Sequence, residues 1–283
     1  MNAPWLKLVF TKRWLVYLSV TVIFAIACVA LGTWQFARLE EARTEIARIL
    51  NNFDAEPVAL TASLPSLAGF NENDKWLPVT VTGTYLVEEQ LLVRGRPRDG
   101  APGFEVLTPL RLPSGDIFIV DRGWLPTGQS QDAPDHIPTA PSGEVTVVAR
   151  LKAGEPSIFG RGAIPGQVST IELPLIAGII GEPTYTGAYG LMKSESPEPT
   201  QAPPAAVQRP QLDEGPHMSY AFQWLLFGIM GFIGLGWAVR NEWRIRNADD
   251  PKEIARNAGV KAKNARRRPS DAQIEDEMMD LKD

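Results

Sequence analysis

The side chains best suited to chemistry stand at the margins of two long apolar runs. Trp34-Gln35 closes the first run, with Arg38 one turn further on, and His217-Met218-Ser219-Tyr220-Ala221-Phe222-Gln223-Trp224 opens the second. Tryptophan and tyrosine rings favour a membrane interface because part of the ring is apolar and part can meet water. The carboxamides of Gln35 and Gln223 fall at similar depth. An unpaired amide is penalised in hydrocarbon, so each is expected to bond to the other, to the opposite helix or to a ligand. His217 sits just above that level, where a neutral imidazole is either an axial ligand for a haem iron or an ordinary interfacial histidine.

Other chemistry is scarce. Asp116 and Asp121 fall on one expected strand and in principle offer acid and base groups, but the favoured reading of Asp121 beside Arg122 is a turn-closing carboxylate. The spacing Gly160-Arg161-Gly162 to Gly166 is one residue too long for a dinucleotide fingerprint, and no nucleotide-loop, serine-elbow or zinc-helix motif occurs. Cys28 is the only thiol and lies in an apolar run, which excludes disulfides and paired-cysteine copper or redox chemistry. With His136 and His217 the only histidines, one chain cannot build a three-histidine zinc centre. No catalytic residue is expected, and no metal beyond a haem iron at His217.

The elements that must position these residues follow from hydropathy and period. Residues 14–34 and 218–239 are each long enough, at roughly 20 residues, to cross about 30 Å of hydrocarbon as a helix. Ala25-Ile26-Ala27-Cys28 resembles a lipoprotein cleavage site, but the apolar run continues through Val29, Ala30 and Leu31, so the span is expected to be retained. Lys7, Lys12 and Arg13 precede the first span, and Arg240, Arg244, Arg246, Lys252 and Arg256 follow the second. That bias places residues 1–13 and 240–283 in the cytoplasm of a bacterial cell and residues 35–217 outside its plasma membrane. Acidic residues outnumber basic ones in the large loop, which argues against nucleic acid as a partner.

Leu39, Ala42, Ile46 and Ile49 carry the first helix onward to about Asn51-Asn52, lifting the chain off the bilayer. The period then shifts from 3.6 toward 2, and strands are predicted over 77–85, 90–94, 104–110, 116–122, 144–151, 167–171 and 184–192, with a brief helix over 174–180. The fold class is therefore α+β, a membrane protein in which two transmembrane helices flank a small antiparallel β-barrel-like domain. Residues 193–217, rich in Pro, are expected to be an extended tether with slack. Arg94, Arg96 and Arg98 read as a solvated hairpin tip or an anion site. Gly228, Gly231 and Gly234 permit close helix approach, to the first span or to another protein. In the tail, Arg266, Arg267 and Arg268 suit anionic headgroups of membrane lipids. Ser270 with Gln273 makes a capping box before a stripe of Ile274, Met278 and Leu281, which docks on a partner or stays solvated.

Three motifs then coincide. Gly32-Thr33-Trp34-Gln35-Phe36-Ala37-Arg38, Val120-Asp121-Arg122-Gly123-Trp124-Leu125-Pro126 and Tyr220-Ala221-Phe222-Gln223-Trp224, in this order and spacing, resemble the Surfeit-locus family of cytochrome c oxidase assembly factors. The resemblance covers the chain from Leu31 to Arg240 and implies a non-enzymatic factor acting in haem a insertion into, or stabilisation of, oxidase subunit I. Haem a synthase and other assembly factors are implied as further partners. It also implies His217 as a candidate haem a ligand, with Trp34, Gln35, Arg38, Tyr220, Gln223 and Trp224 around it, and a structural role for Asp121, Arg122, Gly123 and Trp124. Two positions depart from the family pattern: Gly215-Pro216 replaces a frequent pair of asparagines, and Glu41-Ala42 stands where a lysine is often found. The alternative expectation is an extracytoplasmic sensor or scaffold with a β-rich binding domain and a cytoplasmic interaction tail.

Overall fold

A computed structural model describes residues 10–129 and 132–265, so the tail residues Arg266–Arg268 and the Ser270 capping box lie outside the described residues. The chain divides into two compact units, with boundaries at Glu40/Glu41 and Glu214/Gly215.

The first unit holds the two apolar helices. Helix α1 (Lys12–Asn52) supplies its residues up to Glu40. The second apolar helix (His217–Arg246) starts directly after Pro216 and continues past the expected span, and a further helix (Pro251–Ala265) follows it. Both apolar runs leave large side chains such as Val20, Ile23, Ile26, Ile229 and Ile233 exposed, which only a hydrocarbon solvent tolerates, so this is a membrane protein. Where the helices meet, the residues are small. A methyl added at Gly228 would lie 3.5 Å from Cys28 Cβ, one at Gly231 3.4 Å from Phe24, and one at Gly32 3.5 Å from the Ala221 carbonyl. Cys28 is thus packed against the opposite helix, while Gly234 and Gly236 face open space.

The second unit is a closed barrel. Its strands are β1 (Val58–Ala59), β2 (Pro78–Tyr85), β3 (Leu91–Arg94), β4 (Gly103–Arg111), β5 (Ile117–Pro126), β6 (Glu144–Ala153), β7 (Gln167–Val168) and β8 (Ala188–Ser196). Five of them run β2-β6-β8-β5-β4, and β4 returns to β2 through Thr84 opposite Arg111 and Tyr85 opposite Leu110. Gly83 sits at this seam, where a Cβ would meet the Arg111 carbonyl at 2.3 Å. The barrel is antiparallel except at β5 against β8, which pair in parallel. β3 and β7 extend the sheet beyond β4, and β1 beyond β2.

Alternation along the strands splits the apolar residues in two. Val79, Val81, Leu110, Phe118, Val120, Val145, Val147, Ala149 and Met192, contributed by all five strands, fill the inside. Leu107, Ile117, Ile119, Tyr189 and Leu191 point outward and are covered by Ile49 and Phe53 at the end of α1 and by Leu173 and Ile176 of α2 (Leu173–Ile180). The last turns of α1 are therefore part of the domain core rather than a spacer. Asn52 donates to the carbonyls of Asn73 and Lys75, and Trp76 Nε1 donates to Glu45 at 2.8 Å. Burial by itself would raise the Glu45 carboxyl, but hydrogen bonds from Lys75 and Trp76 outweigh it and hold the group below its usual value.

Several boundaries differ from the sequence reading. The strand expected over 184–192 lies at 188–196, the one over 167–171 shrinks to two residues, and β5 continues through Gly123-Trp124-Leu125-Pro126. The Pro-rich stretch is not slack: Ala205 exchanges both backbone hydrogen bonds with Trp124, and Arg209 pairs with Asp54 at 2.8 Å. Backbone pairing to a strand edge offsets the ordering entropy that composition alone suggested could not be met.

Gly190 on β8 has no room for a side chain, since a Cβ there would lie 2.7 Å from Ala149 Cβ and 2.8 Å from the Phe118 ring. Gly190→Ala is expected to cost about 1–3 kcal/mol by overpacking. Thermal unfolding of the full chain in detergent reads this, and an unchanged midpoint would contradict the barrel register.

Candidate functional site

Two polar constellations stand out, one in each unit. In the helical unit, His217 opens the second apolar helix, here α3 (His217–Arg246), where Pro216 at the cap lacks an N–H and lets the chain turn sharply. Its Nδ1 lies 2.8 Å from Gln35 Oε1. An amide oxygen only accepts, so Nδ1 carries the hydrogen and the lone pair of Nε2 is left for another partner. Gly215, at φ +68°, lies against that nitrogen; a Cβ there would come 3.4 Å from Nε2. A nitrogen oriented through its other ring position by a hydrogen-bonded amide has the form of a metal-ligating histidine, so the donor set fits a haem iron.

The remaining candidates do not converge. Arg38 stacks on Trp34, its guanidinium carbon 5.7 Å from the ring centroid, and Trp34 stays half exposed. Tyr220 is exposed, and Trp224 meets Phe227 edge to face at 5.9 Å. Phe36 and Phe222, not singled out by the sequence, form an edge-to-face pair at 6.0 Å. Gln223 lies six residues beyond His217, off the face that packs on α1 through Ala221 and Gly228, and is exposed. The two carboxamides are not partners: Gln35 satisfies His217 and Gln223 faces outward. A helix places residues six apart on different sides, which similarity of depth does not reveal.

In the barrel, Asp121 and Arg122 are both fully buried, on opposite faces of β5. Arg122 points inward with Phe118 and Val120, bonds Glu195 Oε1 at 2.9 Å and the Pro138 carbonyl at 3.0 Å, and stacks on Tyr85 at 5.5 Å. Tyr85 donates to the other oxygen of Glu195 at 2.9 Å, and burial together with that carboxylate drives the phenol far above its usual range. Glu195 was invisible to sequence reasoning because it fell in the expected tether. Gly123, at φ +129°, lets the Pro-rich strap approach so closely that a Cβ would lie 2.6 Å from the Ala205 carbonyl. Trp124 Nε1 donates to the Arg96 carbonyl at 2.7 Å. The motif is structural in this sense: one residue faces inward, one outward, one admits the strap and one holds a loop.

Asp121 closes a local side-chain turn onto its own strand, as the sequence reading favours. Its Oδ1 accepts from the Gly123 N–H at 2.9 Å, while Oδ2 is buried without a hydrogen-bond partner. Asp116 is remote from it at the start of the strand and bonds Ser114 at 2.8 Å, so the acid–base pair is not assembled. Around Asp121, Arg96 is shared between Glu105 and Glu155. The hairpin-tip reading of the three arginines therefore gives way: Arg94 donates to the Gly162 carbonyl and Arg98 to those of Ala205 and Ala206. Burial, reinforced by the Glu105 charge, pushes Asp121 up to about 8, against the Gly123 N–H and the attraction of Lys152 and Arg96. Burial also raises Glu105, whereas hydrogen bonds from Arg96 and Ile171 overcome burial and lower Glu155. Among the described residues no cluster of His, Cys, Asp and Glu is placed to hold a metal ion.

Two apolar helices and a closed five-stranded barrel in one chain, with a histidine–amide pair where one helix begins, define a class of two-span membrane proteins. The chain belongs to the SURF1 family, whose family model matches residues 22–229. An uncharacterized SURF1-like protein of Mycobacterium tuberculosis is 32% identical over 251 residues, covering 87% of this chain and 90% of its own length. A SURF1-like protein of Monosiga brevicollis is 33% identical over 133 residues, 43% of this chain and 48% of its own. The cytochrome oxidase assembly protein SHY1 of Saccharomyces cerevisiae is 32% identical over 107 residues, 37% of this chain and 26% of its own.

Arg122→Met strands the Glu195 charge inside the barrel and is expected to destabilise the domain by about 3–5 kcal/mol, much of it recovered by adding Glu195→Gln. Full stability of the single variant in thermal unfolding would refute the pairing. Asp121 holds its proton when folded but releases it near its usual 3.8 when unfolded, so the folded state binds more protons in between. Its contribution is full below about 4 and is lost as pH climbs through about 8. The unfolding midpoint of the wild type, relative to Asp121→Asn, should fall between about pH 5 and pH 9; a constant difference counts against the raised value.

Proposed function

We propose that this protein is a non-enzymatic assembly factor for a cytochrome c oxidase in a bacterial plasma membrane, acting on subunit I and haem a at the outer face. The observation that carries the reading is the pairing of His217 Nδ1 with Gln35 Oε1, which joins the first family-like motif to the residue three places before the third and orients Nε2 for another partner. The name of the yeast relative supports the oxidase, and the basic residues flanking both apolar runs support termini in the cytoplasm with the barrel outside.

Haem a, when bound, would supply an iron that takes a nitrogen ligand, together with two carboxylates. His217 would hold the iron through Nε2, Gln35 fixes the imidazole, and Arg38 is the nearby cation for a carboxylate. Trp34 and Tyr220 offer exposed ring faces, and Trp224 and Gln223 lie deeper on α3. Such a set holds and presents an amphipathic group without transforming it, which suits handover to subunit I, with haem a synthase as the natural donor. The competing reading, a sensor or scaffold working through its cytoplasmic tail, draws on the helix at Pro251–Ala265.

Protein purified in mild detergent from haem a-producing cells should show a haem spectrum that His217→Ala abolishes, and Gln35→Leu should weaken haem retention about tenfold or more. An unchanged spectrum in His217→Ala removes the ligand assignment. Oxidase subunit I or haem a synthase should copurify; recovery of cytoplasmic signalling proteins alone would favour the competing reading.

A further inference from the structure

At the end of α3 remote from His217, the helix leaves its apolar run through Trp237, Arg240, Trp243 and Arg244, and α4 (Pro251–Ala265) folds back nearby. Between them lies a cavity of about 600 Å³, lined from α3 by those four residues and from α4 by Glu253 and Arg256. Gly236 keeps one wall open, with nothing within 4 Å of the position a Cβ would take.

The charges are unbalanced. Glu242 is occupied by Arg13 of α1 and by Arg246. Glu253 is mostly buried and faces Arg256 at 3.5 Å, so one carboxylate and one guanidinium of the cavity answer each other. Arg240 and Arg244, one helical turn apart, have no carboxylate partner among the described residues. The site therefore calls for an anion. Its walls also call for an apolar neighbour: Trp237 is largely exposed, and Phe232 and Ile233 just before it are exposed on the hydrocarbon stretch. The planar guanidinium of arginine pairs two phosphate oxygens well, and tryptophan settles at the depth of glycerol and upper acyl chain.

We infer that this cavity binds the phosphodiester headgroup of an anionic phospholipid, with Arg240 and Arg244 on the phosphate and Trp237 and Trp243 beside the glycerol. A soluble phosphate would satisfy the arginines but leave the tryptophan faces uncovered. The volume and the position at the end of an apolar helix match a headgroup still attached to its chains.

The test is native mass spectrometry of the full-length protein, released from detergent containing equal phosphatidylglycerol and phosphatidylcholine. The wild type should retain phosphatidylglycerol selectively, and Arg240→Gln with Arg244→Gln should lower that retention roughly tenfold or more. A triple variant, Lys252→Gln with Lys261→Gln and Lys263→Gln, removes more charge from exposed positions of α4 that do not line the cavity and should leave most of it. Equal loss in both variants would mean diffuse attraction and overturn the site, as would absence of preference for phosphatidylglycerol. Displacement of the lipid by inorganic phosphate alone would reassign the cavity to a small anion. Should the double variant fail to fold, phosphatidylglycerol with brominated acyl chains decides instead. It should quench wild-type fluorescence more than that of Trp237→Phe with Trp243→Phe, and equal quenching refutes the proposal.

Discussion

A guanidinium with no exposure to solvent must take its counter-charge into the barrel with it, and in this protein that demand organises the whole β unit. Arg122 lies among Phe118, Val120 and Tyr85, where an unpaired charge would be prohibitive, so Glu195 has to come inside and Tyr85 has to satisfy the second carboxylate oxygen. Glu195 can reach only if β8 continues to Ser196, between β6 and β5, and that continuation commits the following Pro-rich chain to start at the barrel wall. From there it crosses β5 at Gly123 and pairs with Trp124. The β8 extension, the start of the strap and the Asp121–Pro126 segment thus meet around one ion pair.

The same segment carries a second buried charge problem, solved differently. Asp121 points to the outer face, where Arg96 is already divided between Glu105 and Glu155. With too few cations for three carboxyls, the most deeply buried one keeps its proton. Neighbouring residues on one strand, 121 and 122, therefore reach opposite outcomes: an ion pair inside, a retained proton outside.

In the helical unit the governing constraint is the solvent. Hydrocarbon gives no hydrophobic reward for helix pairing, so contact comes from small residues that let the backbones close up, Gly32, Gly228 and Gly231 against Ala221, Cys28 and Thr21. Polar groups survive only where they meet each other or the interface. Gln35 and His217 do the first; Trp34, Tyr220 and Arg38 do the second. The result is a single oriented imidazole rather than a walled pocket.

Much of this was legible in the chain itself. Apolar runs of bilayer length declare the two helices, and the shift of period from 3.6 to 2 declares the barrel strands, because both signals are local and repeat over many residues. The three motifs declare the family because their residue types and order are written in the sequence. The importance of Gln35 followed from the cost of a bare amide in hydrocarbon, but its partner did not, because helical phase, not depth, decides whether Gln223 or His217 faces it. Glu195 gave no signal at all: its worth depends on Arg122, 73 residues away along the chain. Composition made the Pro-rich stretch look free, since strap pairing with Trp124 is a property of the sheet edge and not of the prolines. The sequence by itself determined which segments are apolar, helical or extended, as these are sums of short-range preferences. Only the tertiary structure decided which charges are neutralised, which nitrogen is left open and where the strap lies, because those depend on groups that folding alone brings within a few ångströms.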